Sequence, residues 1–152
     1  MFTTFTILKF VHVLMAIIAV GFNASYGVWL ARAARDPDHE PWALGGIKIL
    51  DDRFANPAYA LLLVTGLIMV AISPYEITTF WILLALILYA LVVILGIAFY
   101  TPTLKKQRQL LEDGRRDAPE YARLANRNRG LGILLAVIVV AIVFLMVTKP
   151  TL

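Results

Sequence analysis

The side chains best suited to chemistry are Lys9, His12, Asn23 and Tyr26, which share one long apolar run near the start of the chain. At about 100° per residue on a helix, Ala16, Ala19, Asn23 and Tyr26 fall within about 40° of His12, and Lys9 within about 60°. One face therefore gathers an amine, an imidazole, an amide and a phenol. An imidazole held inside a membrane is a candidate functional group, here the one strong nitrogen ligand in any span, and its neighbours can hydrogen-bond the polar edge of a bound group. The two alanines leave space for a close helix or for a flat ligand. A second stripe follows in the next apolar run, where Asn56, Tyr59, Leu63 and Gly66 all fall within about 40° of Asp52 on a regular helix. The bland counterpart is that these groups hydrogen-bond one another and specify how the helices pack.

The elements that carry these residues are set by composition. Apolar residues make up 61% of the 152-residue chain and charged ones 16%, with a mean hydropathy of +0.80. Soluble domains run at about 45–50% apolar and about 25% charged. Runs over 5–30, 54–72, 79–100 and 130–148 are each close to the roughly 20 residues that cross a hydrocarbon core as a helix. They lack the alternation of a membrane β-barrel. The expected fold is all-α, a four-helix transmembrane bundle in one integral domain that contacts the lipid bilayer. The first run is read as a span and not a cleaved signal, since the uncharged stretch Phe10–Ala31 exceeds a signal core of about 7–15 residues. The chain has no cysteine, which excludes disulfides, thiolate metal sites and thiol catalysis.

Charge placement supplies a topology. Between Thr101 and Gly130 stand eight cations against four acids, an excess equal to the formal net charge of +4. The positive-inside rule puts that loop in the cytoplasm, so both termini and the cation-free Ser73–Thr78 turn face outward. Interleaved acids and the absence of a recognition motif argue against nucleic acid. The stretch Thr103–Asp113 is expected to prolong the third helix as an amphipathic cytoplasmic extension, Gly114 to end it, and Pro119 to start a shorter helix leading into the fourth span. Arg32–Asp52 reads as a second cytoplasmic loop, punctuated by Pro37, Pro41, Gly45 and Gly46. Within it His39 is expected to be a solvated surface side chain. Asp51 and Asp52 sit at the boundary, solvated or paired with Arg53. Pro57 predicts a kink in a second helix that starts near Ile47, which gives spans of 5–30, 47–72, 79–100 and 130–148.

The other spans are plainer. The third offers Tyr89 near its centre, Gly96 for close contact, and Trp81 and Tyr100 as interfacial anchors. From Leu131 to Val147 the fourth has no hydrogen-bonding side chain. Met15, Met69 and Met146 share the outer half of the bilayer with His12 in this topology, a thioether and imidazole set that suits Cu(I).

Several short motifs resemble a known family. They are Lys9 with His12 opening the first span, Arg53-Phe54 through Leu63-Val64-Thr65-Gly66-Leu67 in the second, Trp81 opening the third, and the closing Thr148-Lys149-Pro150. Together they resemble a family of uncharacterised predicted integral membrane proteins of bacteria, itself distantly similar to HemJ-type protoporphyrinogen oxidases and to the membrane domain of CopD-type copper-resistance proteins. The resemblance implies a multi-pass protein of the bacterial inner (plasma) membrane. Through HemJ it implies haem b or a related porphyrin, with His12 as axial ligand and Lys9 beside it. The chain departs from the HemJ pattern after Trp81, where no lysine follows, and at Asn128-Arg129-Gly130-Leu131, where those enzymes carry Asn-Glu-x-Pro.

Three functional classes follow. In the first, a haem or porphyrin sits in a pocket between the first two helices, held by His12 and lined by Lys9, Asn23, Tyr26, Asn56 and Tyr59. With no second histidine in any span, a bis-histidine haem would need two chains, hence a homodimer or a partner in a membrane complex. In the second, His12 and the outer methionines handle copper. In the third, the stripe specifies packing in a cofactor-free structural or accessory subunit.

Overall fold

The computed structural model describes residues 3–36 and 38–150. Among them, four helices are long and apolar enough to cross a membrane, and there is no strand. They are α1 (Thr4–Ala33), α2 (Glu40–Ala71), α3 (Phe80–Glu112) and α4 (Pro119–Thr148). The Thr3 hydroxyl caps α1 by accepting from the Thr6 N–H at 3.2 Å. At its far end α3 closes on Gly114, whose φ of +68° is open to glycine at no steric cost. The Arg115 N–H then bonds back to the Leu110 carbonyl at 2.8 Å. Pro119 occupies the first turn of α4, where its missing N–H costs nothing.

Three expectations change. The second helix starts at Glu40 and not near Ile47, so the loop expected over Arg32–Asp52 shrinks to residues 34–39. Pro41 is an entry residue in its first turn, and burial of Ala43, Leu44 and Ile47 outweighs the two glycines between them. Pro37 lies outside the described residues. The kink at Pro57 takes the form of a widened turn over Asp51–Ala55, in which the Asn56 N–H reaches the Asp51 carbonyl five residues back. A proline lacks an N–H and crowds the carbonyl four residues before it, and one extra residue in the turn relieves both. Pro102 in α3 is preceded by the same device over Gly96–Tyr100. Finally, α4 runs unbroken from Pro119, with no separate short helix before the span.

The helices form two antiparallel hairpins, α1 with α2 and α3 with α4, joined where α1 meets α4 and where the start of α2 meets the end of α3. Buried positions recur every seven residues: Ala19, Tyr26 and Ala33 in α1, Ala58 and Thr65 in α2, Ile138 and Leu145 in α4. A seven-residue repeat is the signature of a left-handed seam between helices. The membrane halves of α2 and α3 approach less closely, with no pair of Cα atoms within 8 Å among the described residues. The Tyr89 hydroxyl bridges them by donating to the Tyr59 carbonyl at 3.0 Å. Most large apolar side chains point outward, as a bilayer requires.

The end of the bundle that holds the basic loop, here the basic end, is tied by a polar network. Glu40 is only 5% exposed. Its carboxylate accepts from the Arg116 Nε at 2.8 Å and from the Tyr121 hydroxyl. Gln107 donates to that hydroxyl at 3.1 Å, and Asn128 donates to Gln107 at 2.8 Å. Three helices and the 113–118 connection are thereby fastened to one carboxylate. Replacing Glu40 with Ala strands the buried Tyr121 hydroxyl and frees Arg116, with an expected loss of roughly 2–3 kcal/mol. Lys48→Ala breaks only an exposed pair with Asp52, worth less than about 1 kcal/mol. Thermal unfolding in detergent compares the two, and equal losses would contradict the network's role.

Candidate functional site

The site begins where α1 meets α2 around His12. Its Nδ1 lies 2.9 Å from the Thr65 Oγ1. Thr65 in turn lies 2.6 Å from the Leu61 carbonyl and 3.2 Å from that of Leu62. A threonine has one hydroxyl proton, and the nearer carbonyl takes it, so the hydroxyl accepts from His12. Nδ1 therefore carries the hydrogen and Nε2 holds the lone pair. Nε2 makes no hydrogen bond among the described residues, and His12 is half-buried, so that nitrogen is not sealed off. A histidine whose other nitrogen donates to a fixed acceptor is oriented as metal ligands are.

The ring is also seated sterically. A Cβ built on Gly66 would stand 3.2 Å from the His12 Cε1, a tighter contact than nearly all real ones, so the ring would have to give by a few tenths of an ångström to admit it. Ala19, one repeat along α1, is fully buried. The seam itself is thus filled by small residues and by the imidazole. A short distance along it, the Asn23 amide donates to its own Ala19 carbonyl at 2.9 Å and to the Tyr59 hydroxyl at 3.0 Å. His12, Asn23, Tyr59 and Tyr89 consequently form one line of polar contacts between helices.

The other sequence-derived candidates fall elsewhere. Lys9 is exposed. Asn56 is exposed and its amide donates to Asp51 at 3.4 Å. The widened turn over Asp51–Ala55 takes Asp52 out of the stripe, whereas Asn56, Tyr59 and Gly66 all follow it on one regular helix. Asp52 pairs with Lys48 and not with Arg53. Tyr26 is 5% exposed, packs with Leu44, Ile47 and Leu104, and leaves its hydroxyl without a partner among the described residues. Met15, Met69 and Met146 are each half-buried. Among the described residues no group of three or more His, Asp or Glu stands together as a metal cluster.

Residues 6–150 match the family model described as predicted integral membrane protein (DUF2269). The chain belongs to this family. The family's description agrees with the four long apolar helices, and the matched region takes in the His12 seam and the Glu40 network alike. No curated protein and no solved structure matches the chain.

Sequence reasoning missed Thr65 as the partner of His12, although a hydroxyl seven residues from Ala58 on a seam is a legible signal. It missed Glu40, Gln107, Tyr121 and Asn128 as a group. Gln107 could have been found, since Thr103, Gln107 and Leu110 share one face of the amphipathic extension. Glu40 could not, because only the fold carries it to Tyr121.

His39 is fully exposed as expected, but it pairs with Asp36 at 2.9 Å. The hydrogen bond from His39 holds the Asp36 carboxyl below its ordinary range, and the Asp36 carboxylate holds the His39 imidazole above its own. The histidine's part of the pairing is present at low pH and lost as pH rises through its raised pKa. The aspartate's part is lost as pH falls through its lowered one. An NMR titration should place His39 above ordinary histidine, and Asp36→Asn should return it, whereas a His39 unmoved by that change would contradict the pairing. At the seam, Gly66→Ala should push the imidazole away from Thr65 and lower the unfolding temperature, by roughly 1–3 kcal/mol equivalent. Thr65→Val should cost about 0.6–2 kcal/mol, the range of interhelical hydrogen bonds in membranes. Thermal unfolding of the two variants tests both, and unchanged stability in both would remove the seam as a packing determinant.

Proposed function

We propose that this protein is a multi-pass component of the bacterial inner (plasma) membrane in which the His12 imidazole would hold the iron of a haem-type group. One observation carries the reading. The chain from Nδ1 through Thr65 to the Leu61 carbonyl fixes the imidazole and leaves Nε2 as a free lone pair at membrane depth. The basic loop faces the cytoplasm by the positive-inside rule, with the termini outside.

His12, the one histidine within the spans, would be the residue that holds such a group. Asn23 and Tyr59 are already engaged with each other, so they position the seam and do not grip a ligand. With α1 and α2 this close at Gly66, a macrocycle would meet the Nε2 edge of the ring from outside the seam. A second chain or a partner subunit would supply its other walls. When bound, haem would supply one-electron chemistry. The protein's own residues hold the ligand nitrogen in one tautomer and keep it from rotating.

A cofactor-free reading rests on a different observation: His12, Asn23, Tyr59 and Tyr89 all find partners within the protein. In that case the line of contacts defines helix packing in an accessory subunit. A copper role would rest on His12 with the methionines. An absorption spectrum of the purified protein, before and after dithionite, separates them. The haem reading expects a Soret band that His12→Ala abolishes and Thr65→Val shifts. A colourless protein reconstituted with haemin to no effect would overturn it, and copper retained after loading and dialysis, lost in His12→Ala, would replace it with the metal-handling role.

A further inference from the structure

Of the eight cations between Thr101 and Gly130, three are matched by carboxylates. Arg108 meets Glu112 at 3.6 Å, Arg115 meets Glu120 at 3.9 Å, and Arg116 meets the buried Glu40 at 2.8 Å. Lys105, Lys106, Arg123, Arg127 and Arg129 enter no ion pair among the described residues, and all five are exposed. The four acids of the α3–α4 hairpin, Glu112, Asp113, Asp117 and Glu120, stand at its tip. The unpaired cations precede them on the way out of the apolar lengths.

Helix geometry fixes the depth of these cations. Tyr100 of α3 lies against Gly132 of α4, whose built Cβ would stand 3.9 Å from the Tyr100 ring, so the two residues mark one level where both apolar lengths end. Lys105 and Lys106 follow Tyr100 by five and six residues, and Arg129 and Arg127 precede Gly132 by three and five. At about 1.5 Å per residue they stand about 4.5 to 9 Å beyond that level, with Arg123 one turn farther out. A headgroup layer is about 5 to 8 Å thick on each side of the hydrocarbon. No charge intervenes, since α3 is uncharged from Phe80 to Leu104 and α4 from Gly130 to Thr148. Just inside the level, Ile97, Phe99 and Ile133 turn outward and are exposed, as side chains against acyl tails are.

The excess charge belongs to this hairpin. Leu50 of α2 packs against the same buried cluster as Tyr100, and around Leu50 the cations Lys48 and Arg53 are offset by Asp51 and Asp52. Direction decides the occupant. Lys105 and Lys106 point about 100° apart around α3, and Arg127 and Arg129 about 160° apart around α4. A single compact anion or a rigid polyanion meets cations from one side, whereas a layer of phosphates surrounding the hairpin meets them from every side. Zwitterionic headgroups would set their own cations against the collar.

We propose that Lys105, Lys106, Arg127 and Arg129 form a collar that binds the phosphates of anionic phospholipids in the headgroup layer around the α3–α4 hairpin. The collar is separate from the His12 seam and does not depend on the haem reading.

Native mass spectrometry of the delipidated full-length protein, titrated with dioleoyl phosphatidylglycerol or dioleoyl phosphatidylcholine, tests it. A cation near an anionic headgroup contributes about fivefold, and one headgroup reaches one or two of the four, so the preference for phosphatidylglycerol should be roughly 5- to 25-fold. Changing all four cations to Gln should erase the preference while phosphatidylcholine still binds. The four side chains are exposed, so far-UV circular dichroism of that variant should match the parent. Two double variants separate the collar from net charge: Lys105→Gln/Arg127→Gln should lower the preference about fivefold, and Arg108→Gln/Arg115→Gln, which removes paired cations, should leave it in place. Equal losses in the two double variants, or full retention in the fourfold one, would overturn the proposal. So would sn-glycerol 1-phosphate competing as effectively as the lipid, which would make the cations a site for free phosphate compounds.

Discussion

A polar group in hydrocarbon must find its partner within the protein, and the architecture around His12 follows from that requirement. Lipid tails are as apolar as the outward side chains, so no hydrophobic force presses the helices together. Close contact of small residues and a few hydrogen bonds must do it. The His12–Thr65–Leu61 chain supplies such a bond, while Ala19 and Gly66 let the backbones approach closely enough for it to form. The seven-residue repeat of buried positions is the same constraint expressed along the whole seam.

The two ends of the bundle solve a different problem. At the basic end the helices leave the membrane, and a buried carboxylate is expensive unless it is paired and hydrogen-bonded. Glu40 meets that condition through Arg116 and Tyr121, and Gln107 and Asn128 extend the network inward. At the opposite end the Lys149 ammonium lies over the rings of Tyr75 and Trp81, 5.4 and 5.3 Å from their centroids. That contact draws the end of α4 toward the turn before α3. Lys149 itself takes a left-handed conformation, φ 46°, where the helix stops. The hairpins are thus fastened at both ends, while α2 and α3 remain bridged at mid-depth by Tyr89.

This division clarifies what the polar side chains are for. Those on the seam are occupied with one another, apart from the Nε2 of His12. The Tyr26 hydroxyl and Asn128 Oδ1 are the two sealed side-chain polar atoms left without a partner among the described residues. The unengaged Nε2 of His12 accordingly stands apart from the closed pairs of the seam.

The amino-acid sequence alone determined the class of protein, because four apolar runs of spanning length and an uneven charge distribution are properties of composition along a line. It also marked Gly114 as a helix end and placed His12, Asn23 and Tyr26 on one face, since local geometry depends on near neighbours. The tertiary structure decided which of those groups are free. The widened turn before Pro57 puts Asp52 out of phase with the residues that follow it, and which of those residues meets His12 was decided by how α1 and α2 pack. Glu40 read as a loop residue because the partners that justify its burial lie 76 and 81 positions away. Hydrogen bonds across such separations depend on where whole helices come to rest, and that information resides in their packing.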